Sequence, residues 1–295
     1  MRTTFHILSN SISFYLNPMN KINIMDDNEN LSKESSIPIH SEEDYEGMRL
    51  AGALAAEILD SLCDLIEPGI STETINSYCH KIITEKGATP APLLYKGFPK
   101  SICTSVNHVV CHGIPSEEKI LYEGDIINVD VTVILNGWHG DSSRMYAIGK
   151  INPKAELLVK TTYECLMKSI DILKPGIHLG DIGYIIQKHA ESKKFSVVKD
   201  FCGHGLGKIF HCPPSVLHFG NKGEGPILKK GMFFTIEPMI NAGDWQIKVL
   251  KDGWTAVTKD RSLSAQFEHS IAITDNGAEI FTLSKNGTDF PINIL

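Results

Sequence analysis

Ile126–Tyr146 reads IINVDVTVILNGWHGDSSRMY. Asn136-Gly137 is a strong hairpin signal, because both residues tolerate the positive φ that a type I′ turn requires. If those two residues form the loop, cross-strand partners have numbers that sum to 273. Asp130 then faces Ser143, and Asp141 lies one diagonal step away on the same face, since strand side chains alternate with period two. Asp130 belongs to an apolar strand with Ile126, Ile127, Val129, Val131 and Val133. Both carboxylates therefore point into semi-buried space, which is costly unless a cation neutralises them. The alternative is a pair of solvated acids near a turn, a place that suits aspartate well. The hairpin alone does not separate the two readings.

The 295 residues suffice for one large domain or two ordinary ones. Apolar content of 42% and charged content of 21% are ordinary for a globular chain. A formal net charge of −7 argues against non-specific nucleic-acid binding, which needs a basic face. Seven cysteines without a Cys-x-x-Cys fit free thiols in a reducing compartment rather than a disulfide framework or zinc ribbon. No apolar run approaches the ~20 residues that span a bilayer. Residues 1–38 are rich in Asn, Ser, Ile and Met, with no acid before Asp26. They are read as a disordered extension outside the chemistry. A transit peptide, or a start at Met19 or Met25, is open there.

Residues 39–295 are read as one domain. Ser41 opens a helix with Asp44 as a capping acid, and Met48, Ala51, Ala55, Ile58, Leu62 and Ile66 form its apolar stripe up to Pro68-Gly69. A second helix spans about Thr72 to Lys86. Thr89–Phe98 is a loop, followed by short strands at Ile102–Val106 and Val109–His112 and then the hairpin. Asn152-Pro153 starts a third helix to about Leu173, and a fourth runs over Gly180–Lys193. Strands are expected at Val197–Cys202, Met232–Ile240, Thr255–Thr258 and Gln266–Thr274. Glu67-Pro68-Gly69-Ile70 and Lys174-Pro175-Gly176-Ile177 hold matching places, so the order helix, Pro-Gly, helix, strands occurs twice. This predicts an α+β fold whose two similar halves close over a shared sheet with ligands between them.

Further acids and imidazoles stand in apolar strands or Gly-rich turns: His204 in CGHGLG, His211 in FHC, Glu237 in FFTIEPM and Glu268 in AQFEHSIA. Each alone is compatible with a buried, hydrogen-bonded side chain. Taken with the hairpin, four carboxylates and one neutral imidazole carry a charge that two divalent cations balance. Such a donor set suits Mn, Fe, Co or Zn better than Cu(I). Metals ~3.5–4 Å apart share a water or hydroxide and clamp the attacking and leaving groups of a hydrolysis.

Six motifs in order, His112 in VCHGIP, Asp130 in NVDV, Asp141 in GDS, His204 in GHG, Glu237 in TIEPM and Glu268 in QFEH, resemble those of type I methionine aminopeptidases. The resemblance runs from about His40 to Leu283. Bacterial or organellar members are most similar in appearance, since no cysteine-rich N-terminal region is present and the short His211–Glu237 gap lacks the type II insertion. It implies the pita-bread fold, a curved antiparallel sheet flanked by helices with pseudo-two-fold related halves. It also implies a dinuclear metal centre on Asp130, Asp141, His204, Glu237 and Glu268, with Glu268 bridging both ions. A bridging hydroxide would attack the carbonyl of an initiator methionine. Glu237 would be ligand and proton shuttle, His211 would bind the scissile carbonyl and His112 would contact the peptide nitrogen. Tyr95, Phe98, Cys103, Phe210 and Trp254 match the methionine pocket, consistent with the preference of a thioether for aromatic edges and sulfur. Phe98 stands where relatives often have Tyr. Asn107, Val109 and Ser264 match a monovalent-cation site for Na or K.

The implied function is removal of initiator Met from nascent chains when residue two is small, with crowding by His112 and the Tyr95–Phe98 loop setting that limit. The implied setting is a cytoplasmic monomer near the ribosome, touching neither nucleic acid nor membrane. An organellar matrix would follow if the extension is a transit peptide. Proline-directed relatives usually carry a substantial N-terminal domain, which 38 polar residues do not supply. A metal-free binding protein of this fold would lack a ligand, and all five are present.

Overall fold

The computed structural model describes residues 37–291, which lie within one compact unit. The expectations for residues 1–36 fall outside the described residues. The hairpin forms as the sequence predicts: β4 (Ile126–Leu135) pairs with β5 (Trp138–Ala147) in the register Asp130↔Ser143 and Thr132↔Asp141. Asn136 and Gly137 carry φ of 51° and 82°, the positive values of the expected turn. Alternation then sorts the two faces of β4. Ile127, Val129, Val131 and Val133 are fully buried in a core that belongs to the first half of the chain. Each such burial contributes about 1.5–3 kcal/mol. Asn128, Asp130 and Thr132 face the other way.

That first core is closed by α1 (Glu42–Ser61) and α2 (Thr72–Glu85). The Asp44 carboxylate takes the Ser41 backbone N–H at 2.9 Å, as its capping position predicts. The α-helix ends five residues short of Ile66, and a 3₁₀ turn, Leu62–Asp64, follows. Ser61 Oγ donates to the Ile58 carbonyl at 2.7 Å, a local competitor for the helical acceptor. Leu62, Leu65 and Ile66 still reach the core from the tighter turn. At Gly140, beside Asp141, α1 comes so close that an added Cβ would lie 2.2 Å from the Ala51 carbonyl oxygen.

The second half repeats the plan with α3 (Pro153–Asp171) and α4 (Leu179–Ser192) over a separate core. Asn152 Oδ1 caps α3 by accepting the Ala155 N–H at 2.9 Å, and Pro153 takes the first helical position. The duplication is visible in hydrogen bonds. Gly69 N–H donates to Leu121 O and Leu121 N–H to Ile70 O, at 2.8 and 2.9 Å. Gly176 N–H donates to Leu228 O and Leu228 N–H to Ile177 O, at 3.0 and 2.8 Å. Gly69 and Gly176 have φ of 96° and 93°, the left-handed conformation glycine adopts without strain.

The remaining strands are β1 (Thr89–Pro90), β2 (Cys103–Val106), β3 (Val109–Cys111), β6 (Ser196–Val197), β7 (Gly203–Gly205), β8 (Cys212–Val216), β9 (Phe233–Ile236), β10 (Met239–Asn241), β11 (Ile247–Val249), β12 (Ala256–Thr258), β13 (Ser264–Gln266), β14 (His269–Ile273) and β15 (Ala278–Ile280). All pairings among the described residues are antiparallel, in four pieces: β1-β4-β2 with β5 on β4, β13-β10-β6, β11-β12-β3, and β15-β14-β9-β7-β8.

Three expected strands are interrupted. Val197–Cys202 reduces to β6, with β7 a separate strand after Cys202. Met232–Ile240 breaks at Glu237-Pro238, and Gln266–Thr274 breaks at Phe267-Glu268. In the latter two the chain passes between the β9/β14 sheet and the β10/β13 sheet. Pro238 has no N–H for a ladder, which favours a break there. Both candidate glutamates thus stand where two sheets meet. No helix among the described residues is long and apolar enough to cross a membrane.

Candidate metal centre

β5 presents Asp141 inward with its backbone tied to Ser270, whose Oγ donates to Asp141 O at 2.6 Å. Thr132, its register partner, donates Oγ1–H to Asp141 Oδ1 at 2.7 Å. This leaves Oδ2 free to approach His204 Nε2 at 3.5 Å. His204 sits in the middle of β7, and Nδ1–H donates to the Gly205 carbonyl at 3.1 Å. That bond aims the Nε2 lone pair at the carboxylates, the arrangement a metal-binding imidazole needs. Glu237 Oε1 lies 3.7 Å from the same nitrogen. Thr235 donates to Glu237 Oε1 at 2.9 Å and Gln266 Nε2 donates to Oε2 at 3.2 Å.

Glu268 is brought in by the second half. Its N–H donates to Ser143 O at 3.0 Å, its carbonyl accepts from Ser142 Oγ at 2.7 Å, and Ser143 is the cross-strand partner of Asp130. Asn128 Nδ2 adds a 2.8 Å bond to Gln266 O. One ligating atom from each of Asp141, His204 and Glu268 falls within a common 4.8 Å. The two halves therefore meet on the hairpin, and their acids converge there.

Electrostatics shows why the cluster wants a cation. Burial pushes the Asp130 carboxyl well above its ordinary value, and the charges of Asp141 and Glu237 push the same way. Glu268 is raised by burial, then by Asp141, Glu237 and Asp130. Burial lifts Glu237 to about 7, although His204 and the Thr235 hydrogen bond oppose it. Burial lowers His204, but the Asp141 hydrogen bond and the Glu237 and Asp141 charges outweigh it, so its pKa rises. Protons thus compete for a site whose oxygen-rich donor set matches hard or borderline divalent ions. The donors fit a metal.

The residues predicted to receive the methionine fall into two aromatic groups. Tyr95 Oη lies 3.0 Å from His211 Nδ1, and the His211 ring is 4.2 Å from that of His204 and 3.7 Å from that of Phe210. Tyr95 and Phe210 are 5.1 Å apart. In the second group Phe98 packs edge-on against Trp254 at 5.2 Å, with His112 6.3 Å from Trp254 and 5.3 Å from Phe201. Buried Cys103 pairs with Asp130 across β2 and β4. Burial lowers His112 to about 4, leaving a neutral imidazole. Its positive φ of 55° accompanies a tight return: a Cβ at Gly113 would lie 2.0 Å from the Thr104 carbonyl oxygen. Of the residues predicted for a monovalent cation, Asn107 O accepts the Ser264 N–H at 2.8 Å and Val109 opens β3.

Several contributing residues are not anticipated from the sequence. Thr132 was readable, since it is the 273-sum partner of Asp141, and Thr235 stands two residues before Glu237 on the same face. His139 stacks on Phe210 at 5.3 Å and His218 accepts the Glu237 N–H, and neither has a local sequence signal.

The sequence profile of metallopeptidase family M24 matches residues 46–275. Methionine aminopeptidase of Rickettsia prowazekii (strain Madrid E) is 56% identical over 257 residues, 87% of this chain and 99% of that protein. The Escherichia coli (strain K12) methionine aminopeptidase is 51% identical over 254 residues, 86% of this chain and 96% of that protein. The crystal structure of the Rickettsia prowazekii methionine aminopeptidase superposes with a TM-score of 0.83 at 57% identity, covering 84% of this chain and all of that one. Prolidase from Pyrococcus furiosus, at 19% identity, a TM-score of 0.69 and 86% and 68% coverage of the two chains, shares the fold alone. The architecture is the pita-bread fold, and the chain belongs to metallopeptidase family M24, among its methionine aminopeptidases.

Proposed function

We propose that this chain removes the initiator methionine from nascent polypeptides whose second residue is small, with Asp130, Asp141, His204, Glu237 and Glu268 holding two divalent ions. The observation that carries the reading is the convergence of the Asp141, His204, Glu237 and Glu268 donors, with Asp130 raised by its acidic neighbours, beside the rings of Phe210 and His211. Two bound ions (Co, Mn, Fe or Zn) would supply an activated water and a Lewis acid for the methionine carbonyl. Tyr95, Phe98, Cys103, Phe210 and Trp254 receive the thioether. His211 and His112 hold the scissile carbonyl and the peptide nitrogen, each as a neutral imidazole whose pKa burial lowers. Glu237 takes the proton released at attack and delivers it to the leaving amine, a transfer suited to a carboxylate held from two sides. Crowding by His112 and the Tyr95–Phe98 loop excludes large second residues.

Asn107, Val109 and Ser264 hold one monovalent cation, Na or K. Residues 39–295 work as one catalytic domain, and 1–38 take no part in the chemistry. The enzyme acts as a cytoplasmic monomer near the ribosome, or in an organellar matrix if the extension is a transit peptide.

The test incubates metal-stripped protein with Met-Gly-, Met-Ala-, Met-Leu- and Ala-Pro-starting peptides, adding each metal in turn. Release of Met from the first two alone is expected. No release with any metal refutes the reading, and preferential cleavage before Pro would replace it with a prolidase-like one. Glu237→Gln should nearly abolish turnover, and an active variant contradicts the shuttle role.

A further inference from the structure

His218 lies two residues beyond β8, is 0% exposed, and accepts the Glu237 backbone N–H on Nε2 at 3.1 Å. With Nε2 an acceptor, the neutral ring carries its proton on Nδ1. That Nδ1 has no hydrogen-bond partner among the described residues. A leucine would fill such space without burying an unpaired N–H, so packing does not explain the imidazole. The acceptor does. Glu237 occupies the gap between β9 and β10, where the β9–β14 ladder has ended at Ile236↔His269 and Pro238 offers no N–H. Its own N–H therefore needs an acceptor from elsewhere, and the segment after β8 supplies it.

We propose that His218 is a positioning residue that fixes the Glu237 backbone, so that Thr235 and Gln266 can hold the carboxylate at the reacting atoms. The three contacts restrain different parts of one residue: His218 the amide, Thr235 Oε1 and Gln266 Oε2. The proposal rests on Glu237 being the proton shuttle. Removing the acceptor frees the backbone torsion at the break and swings the carboxylate, and small displacements of a reacting group cost up to ~100-fold in rate.

The experiment compares His218→Gln with His218→Leu in the metal-loaded full chain. The Gln Oε1 can stand where Nε2 stands, whereas Leu has no acceptor. On a Met-Ala-starting peptide at saturating metal, His218→Leu should lower kcat by ~10–100-fold with KM near wild type, and His218→Gln should recover most of it. Equal kcat in all three proteins, equal loss in both variants, or a loss confined to KM overturns the proposal. Amide hydrogen exchange of wild type gives a check that does not depend on variant folding. The Glu237 N–H should be protected, and exchange at the rate of an exposed amide overturns the assignment. Failure of wild type to release Met, or full activity of Glu237→Gln, would instead strike the reading beneath it.

Discussion

Thr235→Val removes one hydroxyl that serves two candidate metal ligands. Thr235 Oγ1 donates to Glu237 Oε1 at 2.9 Å and accepts the His204 N–H at 3.0 Å, in a fully buried position. The first is a hydrogen bond to a carboxylate, about 1.5–3 kcal/mol in net value. It favours the charged form of Glu237, the form a metal requires, so its loss falls on metal affinity. At 1.4 kcal/mol per decade, that is ~10–100-fold weaker binding, the range typical of groups that orient a metal ligand. The second contact leaves the His204 N–H unpaired, about 1–3 kcal/mol against the folded state with or without metal. The two costs are separable. Competition with a chromogenic chelator reads the first, and urea unfolding of the metal-free protein reads the second. Thr235→Ser should restore both. A Val variant that binds metal within about threefold of wild type would refute the claim that this hydroxyl organises the centre.

Two other perturbations probe the frame behind the site. Arg144, on β5 and 2% exposed, pairs through Nη1 with Asp60 and through Nη2 with Asp289 at 3.3 Å. Arg144→Met should cost ~3–5 kcal/mol in denaturant unfolding, and adding Asp60→Asn and Asp289→Asn should recover much of it, because stranded buried charge is the source. Absence of that rescue would show the loss to be packing. The same network sets a pH dependence. Burial raises the Asp60 carboxyl, but the Arg144 and Thr288 bonds outweigh it and its pKa is lowered. Its contribution is thus present above the unfolded value of about 4 and lost as pH falls through the folded value. The gap between wild type and Arg144→Met should narrow below that pH, and a constant gap would contradict the assignment. Gly140→Ala forces a Cβ to 2.2 Å from Ala51 O, so it should lower stability by ~1–3 kcal/mol and impair the adjacent Asp141. An unchanged Tm would mean that α1 yields easily.

What the sequence determined by itself was everything carried by short-range periodicity and turn chemistry. Asn136-Gly137 sets the hairpin register, and the register sets the diagonal Asp130 and Asp141. Asn152-Pro153 and Ser41 start their helices, and the repeated Pro-Gly-Ile marks the duplication later seen in matched hydrogen bonds. Asp130, Asp141, Glu237, Glu268, His204 and His211 stood out as acids and imidazoles in unusually apolar or Gly-rich settings, and the resemblance to methionine aminopeptidases singled out His204 as the imidazole of the ligand set.

Tertiary structure decided what depends on contacts between distant segments. The apolar runs around Glu237 and Glu268 look continuous in sequence, yet the chain leaves one sheet for another at each glutamate, because pairing partners end there. Arg144 falls opposite Val129 in the hairpin register, but what it meets there, Asp60 on α1, is a contact only the packed structure shows. His218 carries no local signal, since its meaning is an acceptor delivered to a strand break nineteen residues away. Periodicity tells which face a side chain takes; only the docking of the two halves tells what that face will meet.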